Sequence, residues 1–145
     1  MGDWNNISNA VAGNGSLTLA VGKNDKVGVG TNNPTEKLDI EGSIRIGGGT
    51  PINRIIAGRV SGDGSLIAGS GFSCSHTGTG QYVIKFDIAF KDTPVITVTS
   101  NDADDDNVAT VSARGGEANI YIYDIDPNKN FVREDSSFSF IAIEV

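Results

Sequence analysis

Short alternations of apolar and polar residues, broken by a turn signal about every ten residues, limit this chain more than any other feature. From residue 57 the alternation marks strands at 57–60, 72–76, 82–86, 95–100, 108–114, 119–125 and 137–145. Between them stand Gly78-Thr79-Gly80, Asp92-Thr93-Pro94, residues 101–107, Gly115-Gly116 and Pro127-Asn128-Lys129-Asn130. No window of helical length keeps a 3.6-residue period. The fold class is therefore all-β, and strands at this spacing with such turns predict an antiparallel β-sandwich. Tyr82, Ile84 and Phe86 share one strand face. In the last strand Phe138, Phe140 and Ala142 point one way, while Ile141, Ile143 and Val145 point the other. A sandwich strand needs one apolar face, so a second one reads as an oligomer interface or as a strand enclosed on both sides within the monomer.

At 145 residues the chain is one domain, or one domain with an appendage. Its 19 glycines and 4 prolines suit many turns and exclude a collagen-like repeat. The net charge of −7 is uneven: six of the 11 basic and five of the 18 acidic residues precede residue 61. The remainder is strongly acidic and has no basic stripe, which argues against nucleic acid and anionic lipid as partners. The acidity also reads simply as a device for solubility. Apolar runs are too short to insert in a membrane as a helix, and the N-terminus does not read as a signal peptide.

Residues 1–50 differ in character. Trp4, Ile7 and Val11 are spaced for a helical turn or an interchain plug, and Leu17, Leu19 and Val21 for a strand after Gly13-Asn14-Gly15. In Val27-Gly28-Val29-Gly30 one strand face has no side chains, so a second backbone can approach it. Asn33, Pro34 and Glu36 predict one helical turn, with Asn33 as cap and Pro34 in the first position. Leu38, Ile40, Ile44 and Ile46 are apolar at intervals of two around Glu41-Gly42. Either this is a hairpin with a proline-initiated turn, or a segment that buries its apolar side chains against copies of itself. Gly47-Gly48-Gly49-Thr50-Pro51 has hinge composition, and the expected domains are 1–50 and 51–145.

Residues 27–46, VGVGTNNPTEKLDIEGSIRI, resemble the stem module of phage tail fibres and related bacterial surface fibres. The resemblance implies a short β-rich trimeric stem carrying a receptor-binding head. Within the head, residues 82–96 (YVIKFDIAFKDTPVI), Val111-Ser112-Ala113-Arg114 and residues 137–144 (SFSFIAIE) resemble the H-type lectin domain of snail agglutinins. That family implies an antiparallel sandwich, a homotrimer, and sugar binding in loops near protomer junctions. Its Trp-His sugar-contact pair falls on Ile125-Asp126 here and its Arg on Thr110. The family's N-acetylgalactosamine specificity therefore does not carry over.

The chain offers little for catalysis. His76 is the single histidine and Cys74 the single cysteine, so neither a zinc site nor an intrachain disulfide can be assembled from them. Cys74 alternates with Phe72 and His76 and is expected as a small buried hydrophobe. The glycine-rich turns lack the lysine and helix of a phosphate-binding loop. Asp102, Asp104 and Asp106 have the 1-3-5 spacing of a calcium loop, but no glycine follows at position six and no helices flank it. This is a solvated acidic turn or an occasional Ca2+ site. Residues 124–135 mix carboxylates, amides, Lys129 and Arg133 around Phe131, with Tyr121 and Tyr123 on the strand leading in. Planar polar groups beside an aromatic face suit a sugar, and a soluble hairpin loop is the alternative. The expected ligand site is Tyr123, Asp126, Asn128, Phe131 and Arg133. The chain is thus read as a non-enzymatic, homotrimeric, extracellular adhesin or tail-fibre tip, part of a larger fibre or phage-tail-like particle, that binds a cell-surface glycan. A purely structural module that registers and caps a fibre is the other reading.

Overall fold

The computed structural model describes residues 19–21, 26–31, 33–101, 107–125 and 131–145. Every helix-or-strand element among them is a strand, and the chain divides into two compact units between Asn53 and Arg54.

The first unit holds β1 (Leu19–Val21), β2 (Val27–Val29) and β3 (Leu38–Ile40) in one sheet. β2 pairs antiparallel with β1 and parallel with β3. A parallel return over so few residues demands a tight path. A Cβ on Gly28 would lie 2.5 Å from the Thr31 carbonyl oxygen. Gly30 takes φ +81°, and a Cβ there would lie 2.6 Å from the Glu41 carbonyl oxygen. The bare glycine face is therefore filled, at least in part, by the chain's own backbone. The expected helical turn at Asn33–Glu36 does not form, and residues 35–37 are bends. Its amides find side-chain acceptors instead: Thr35 N–H and hydroxyl donate to Asp39 Oδ2 at 2.9 and 3.0 Å, and Asn33 N–H donates to Thr31 Oγ1 at 3.3 Å. Such local bonds compete with helix formation. Ile44 and Ile52 form an isolated antiparallel bridge, so Gly47-Gly48-Gly49 lies in the turn between them.

The second unit is a β-sandwich. Its strands are β4 (Arg54–Val60), β5 (Leu66–Gly69), β6 (Phe72–Gly78), β7 (Gln81–Phe86), β8 (Val95–Ser100), β9 (Asn107–Ala113), β10 (Glu117–Asp124), β11 (Val132–Arg133) and β12 (Phe138–Glu144). One sheet has the order β5-β4-β12-β8. The other runs β6-β7-β10-β9, with the short β11 beside β10 beyond the end of β7. All pairings in both are antiparallel. The seven strands expected from alternation are present; β5 and β11 were not expected.

Side chains from both sheets make one core: Val60, Phe72, Tyr82, Ile84, Phe86, Ile120, Ile122, Phe138 and Phe140 are all buried. Burying each of the larger ones contributes about 1.5–3 kcal/mol. Phe72 meets Phe140 edge-on at 4.8 Å between centroids, and Tyr82 meets Phe138 at 5.0 Å. Gly58 makes room for the first pair, since a Cβ there would lie 2.2 Å from Phe72 Cζ and 2.8 Å from Phe140 Cε1. Cys74 packs against this core half-buried, and burial pushes its thiol up to about 11. At the far end Arg54 lies 4.1 Å over the Phe90 ring and 3.7 Å from Glu144 Oε2.

β12 alternates as its sequence requires, with Phe138, Phe140 and Ala142 inside. Its other face lies on the outside of the sheet. Ile143 stands in register between Ile55 and Val95, and Ile141 between Ala57 and Thr97. Ile55 is 57%, Val95 60% and Ile141 45% exposed. This is an apolar surface rather than a strand enclosed within the monomer.

Candidate functional site

The other sheet presents a different exterior. Ala118, Ile120 and Ile122 of β10 face the core, which turns Asn119, Tyr121 and Tyr123 outward. Register then fixes their neighbours. Tyr123 stands between Val108 on β9 and Arg133 on β11, and Tyr121 between Thr110 and Gln81. Directly opposed antiparallel residues share a face, so Val108, Tyr123 and Arg133 form one row.

Two features lie along that row. On the β9 side a pocket of about 250 Å³ is lined by Val108, Thr110, Tyr123, Ile125 and Phe131. Phe131 is 78% exposed, an unusual position for a ring that finds its partners nowhere in the core. On the β11 side the Arg133 guanidinium carbon lies 5.0 Å from the Tyr121 ring centroid and 5.7 Å from that of Tyr123. Both distances are within cation–π range. Tyr123 belongs to both features: its ring borders the pocket and carries the arginine.

Three of the five expected ligand residues, Tyr123, Phe131 and Arg133, thus share one face. Asp126 and Asn128 lie outside the described residues, as do Asp102, Asp104 and Asp106 of the expected calcium loop. Among the described residues no group of three or more His, Cys, Asp or Glu could hold a metal ion. Sequence reasoning missed Val108, Thr110 and Ile125 as lining residues. Only the β9–β10 register sets Val108 opposite Tyr123 and Thr110 opposite Tyr121.

The polar cluster around His76 lies elsewhere. His76 Nε2 is 2.8 Å from Asp135 Oδ1, which also accepts the Gly80 N–H at 2.6 Å. An ionised carboxylate only accepts, so Nε2 carries the proton. The Gly80 amide holds the Asp135 carboxyl below its usual range; burial opposes it, and the His76 contact lowers it further. His76 stacks on Tyr82 at 5.1 Å, and the Tyr82 hydroxyl donates to the Gly62 carbonyl at 2.8 Å. Burial, and then the Asp135 charge, push the Tyr82 phenol up to about 12. Among the described residues no hydroxyl or thiol hydrogen-bonds to His76, so the pair lacks the third member of a nucleophilic triad. Its geometry ties the β6–β7 hairpin to the segment entering β12.

A second hollow, of about 320 Å³, lies beside Arg54, Ile56, Ser70, Asp87 and Ile88. It brings Asp87 and Arg54 to one place. No model of a known protein family matches the chain, and no characterised protein matches it.

Proposed function

We propose that this chain is a non-enzymatic homotrimeric adhesin, an extracellular fibre or tail-fibre tip whose head binds a cell-surface glycan on the outer face of the β6-β7-β10-β9 sheet. The observation that carries the reading is the row Val108–Tyr123–Arg133, with an apolar pocket on one side and an arginine within cation–π distance of two tyrosine rings on the other. Sugars combine apolar ring faces with hydroxyl groups, and such a row meets both. The resemblance of residues 27–46 to fibre stems supports an N-terminal stem. Leu38, Ile44 and Ile46 in that region leave apolar side chains exposed. The trimer draws its support from the same resemblance and from the outer face of β4, β12 and β8, where Ile55, Ile141, Ile143 and Val95 stand together.

The reading is tested on a glycan array and on intact cells. Phe131→Ala and Tyr123→Ala should lose binding, while melting temperatures stay close to that of the parent. Undiminished binding by both would place recognition elsewhere. The second reading, a module that only caps and registers a fibre, is favoured by the apolar outer face, which a cap needs as much as a head does. It predicts no glycan binding by a stable trimer.

A further inference from the structure

Within the glycan-binding reading, on which this step rests, we infer that the ligand is a sugar acid: its carboxylate is held by Arg133 and an apolar substituent, such as an acetyl or deoxy methyl group, sits among Val108, Ile125 and Phe131. The chain carries 18 acidic and 11 basic residues, yet among the described residues no carboxylate is found paired with Arg133, whereas Arg54 lies 3.7 Å from Glu144 Oε2. Arg133 is instead positioned by rings, at 5.0 Å from Tyr121 and 5.7 Å from Tyr123. A guanidinium carbon over an aromatic ring is held there by cation–π attraction, which uses none of its five N–H donors on a carboxylate. The guanidinium fork matches the two coplanar oxygens of a carboxylate, bound by two parallel hydrogen bonds.

The rest of the row fits the same ligand. Val108 and Arg133 flank Tyr123 on opposite sides, so they are two strand spacings apart, roughly 10 Å. That is the scale of one hexose ring with its exocyclic groups. The Val108–Ile125–Phe131 end offers apolar wall and the Thr110 hydroxyl. The Arg133 end offers charge. A ligand with a carboxylate at one end and a small apolar group at the other occupies both ends. A neutral sugar would leave the Arg133 donors to water.

The test uses the full chain on an array of matched pairs: sialylated and uronic-acid-terminated glycans, each beside its carboxyl-reduced form, together with sulfated glycans. Binding should go to carboxylated members and fall tenfold or more on reduction of the carboxyl, the scale of one lost charge-assisted hydrogen bond. Arg133→Gln should lose the same factor with its fold intact by circular dichroism. Arg133→Lys, which keeps the charge without the fork, should recover only part of it. Rising salt should weaken binding of the parent and leave residual binding of Arg133→Gln unaffected. Equal binding to acid and reduced forms, preference for sulfated glycans, or full binding by Arg133→Gln would each overturn the sugar-acid assignment while leaving a glycan-binding head. Binding to no glycan at all would overturn both readings.

Discussion

His76 and Asp135 stand 59 positions apart, and their side chains meet at 2.8 Å. Asp135 thereby joins the β6–β7 hairpin, through His76 and the Gly80 amide, to the segment that leads into β12. A carboxyl held below its usual range contributes stability that is present above its unfolded pKa, about 4. That contribution disappears as pH falls through the lower folded value. The melting temperature should therefore drop as pH is lowered below about 4. Asp39 and Asp63 are also held low by hydrogen bonds, so the informative quantity is a difference. Asp135→Asn should be less stable than the parent at neutral pH, and the gap should narrow in acid. A gap independent of pH would show that the Asp135 charge contributes nothing.

Gly58 lies under the Phe72–Phe140 pair, with no space for a methyl group. Gly58→Ala should cost about 1–3 kcal/mol, the usual range for overpacking. Denaturant unfolding would measure it. The double variant Gly58→Ala, Phe72→Leu should recover part of the loss, because the two substitutions share one space. A neutral Gly58→Ala would contradict the packing described.

The outer face of β12 supports the proposed trimer. Ile141 is exposed in the protomer, so Ile141→Asp should leave the protomer folded while an unpaired charge disrupts a contact between copies. Light scattering should give three chains per particle for the parent and one for the variant. A parent that is monomeric at micromolar concentration would remove the trimer from the account.

The division between Asn53 and Arg54 bears on the proposed stem. Residues 54–145 expressed alone should fold, because both sheets of the sandwich lie within them. Cooperative thermal unfolding with a β-type circular dichroism spectrum would show this. An unfolded product would mean that the sandwich needs residues 1–53 to fold.

Much of the sandwich was legible because its strands are long enough to alternate. In β10 and β12 every second residue is buried or faces the core, and the same alternation is written in the sequence. β5 and β11 were not legible. All four residues of β5 are exposed and β11 has only two, so neither carries a burial pattern. The expected helical turn at Asn33–Glu36 failed for a local reason, since Thr35 bonds to Asp39 rather than continuing a turn. Composition singled out Tyr123, Phe131 and Arg133. It could not reveal that Arg133 lies over Tyr121, which follows from pairing across β10 and β11. Nor could it bring His76 to Asp135, a contact set by tertiary packing.

The two exteriors of one sandwich have opposite proposed roles: recognition on the β6-β7-β10-β9 side and contact between copies on the β5-β4-β12-β8 side. Amide chemical-shift mapping of the full chain with the strongest-binding glycan from the array tests that assignment most directly. Shifts should concentrate at Val108, Thr110, Tyr121, Tyr123, Ile125, Phe131 and Arg133 and spare Ile55, Ile141 and Ile143. Shifts confined to Ile55, Ile141 and Ile143 would contradict it.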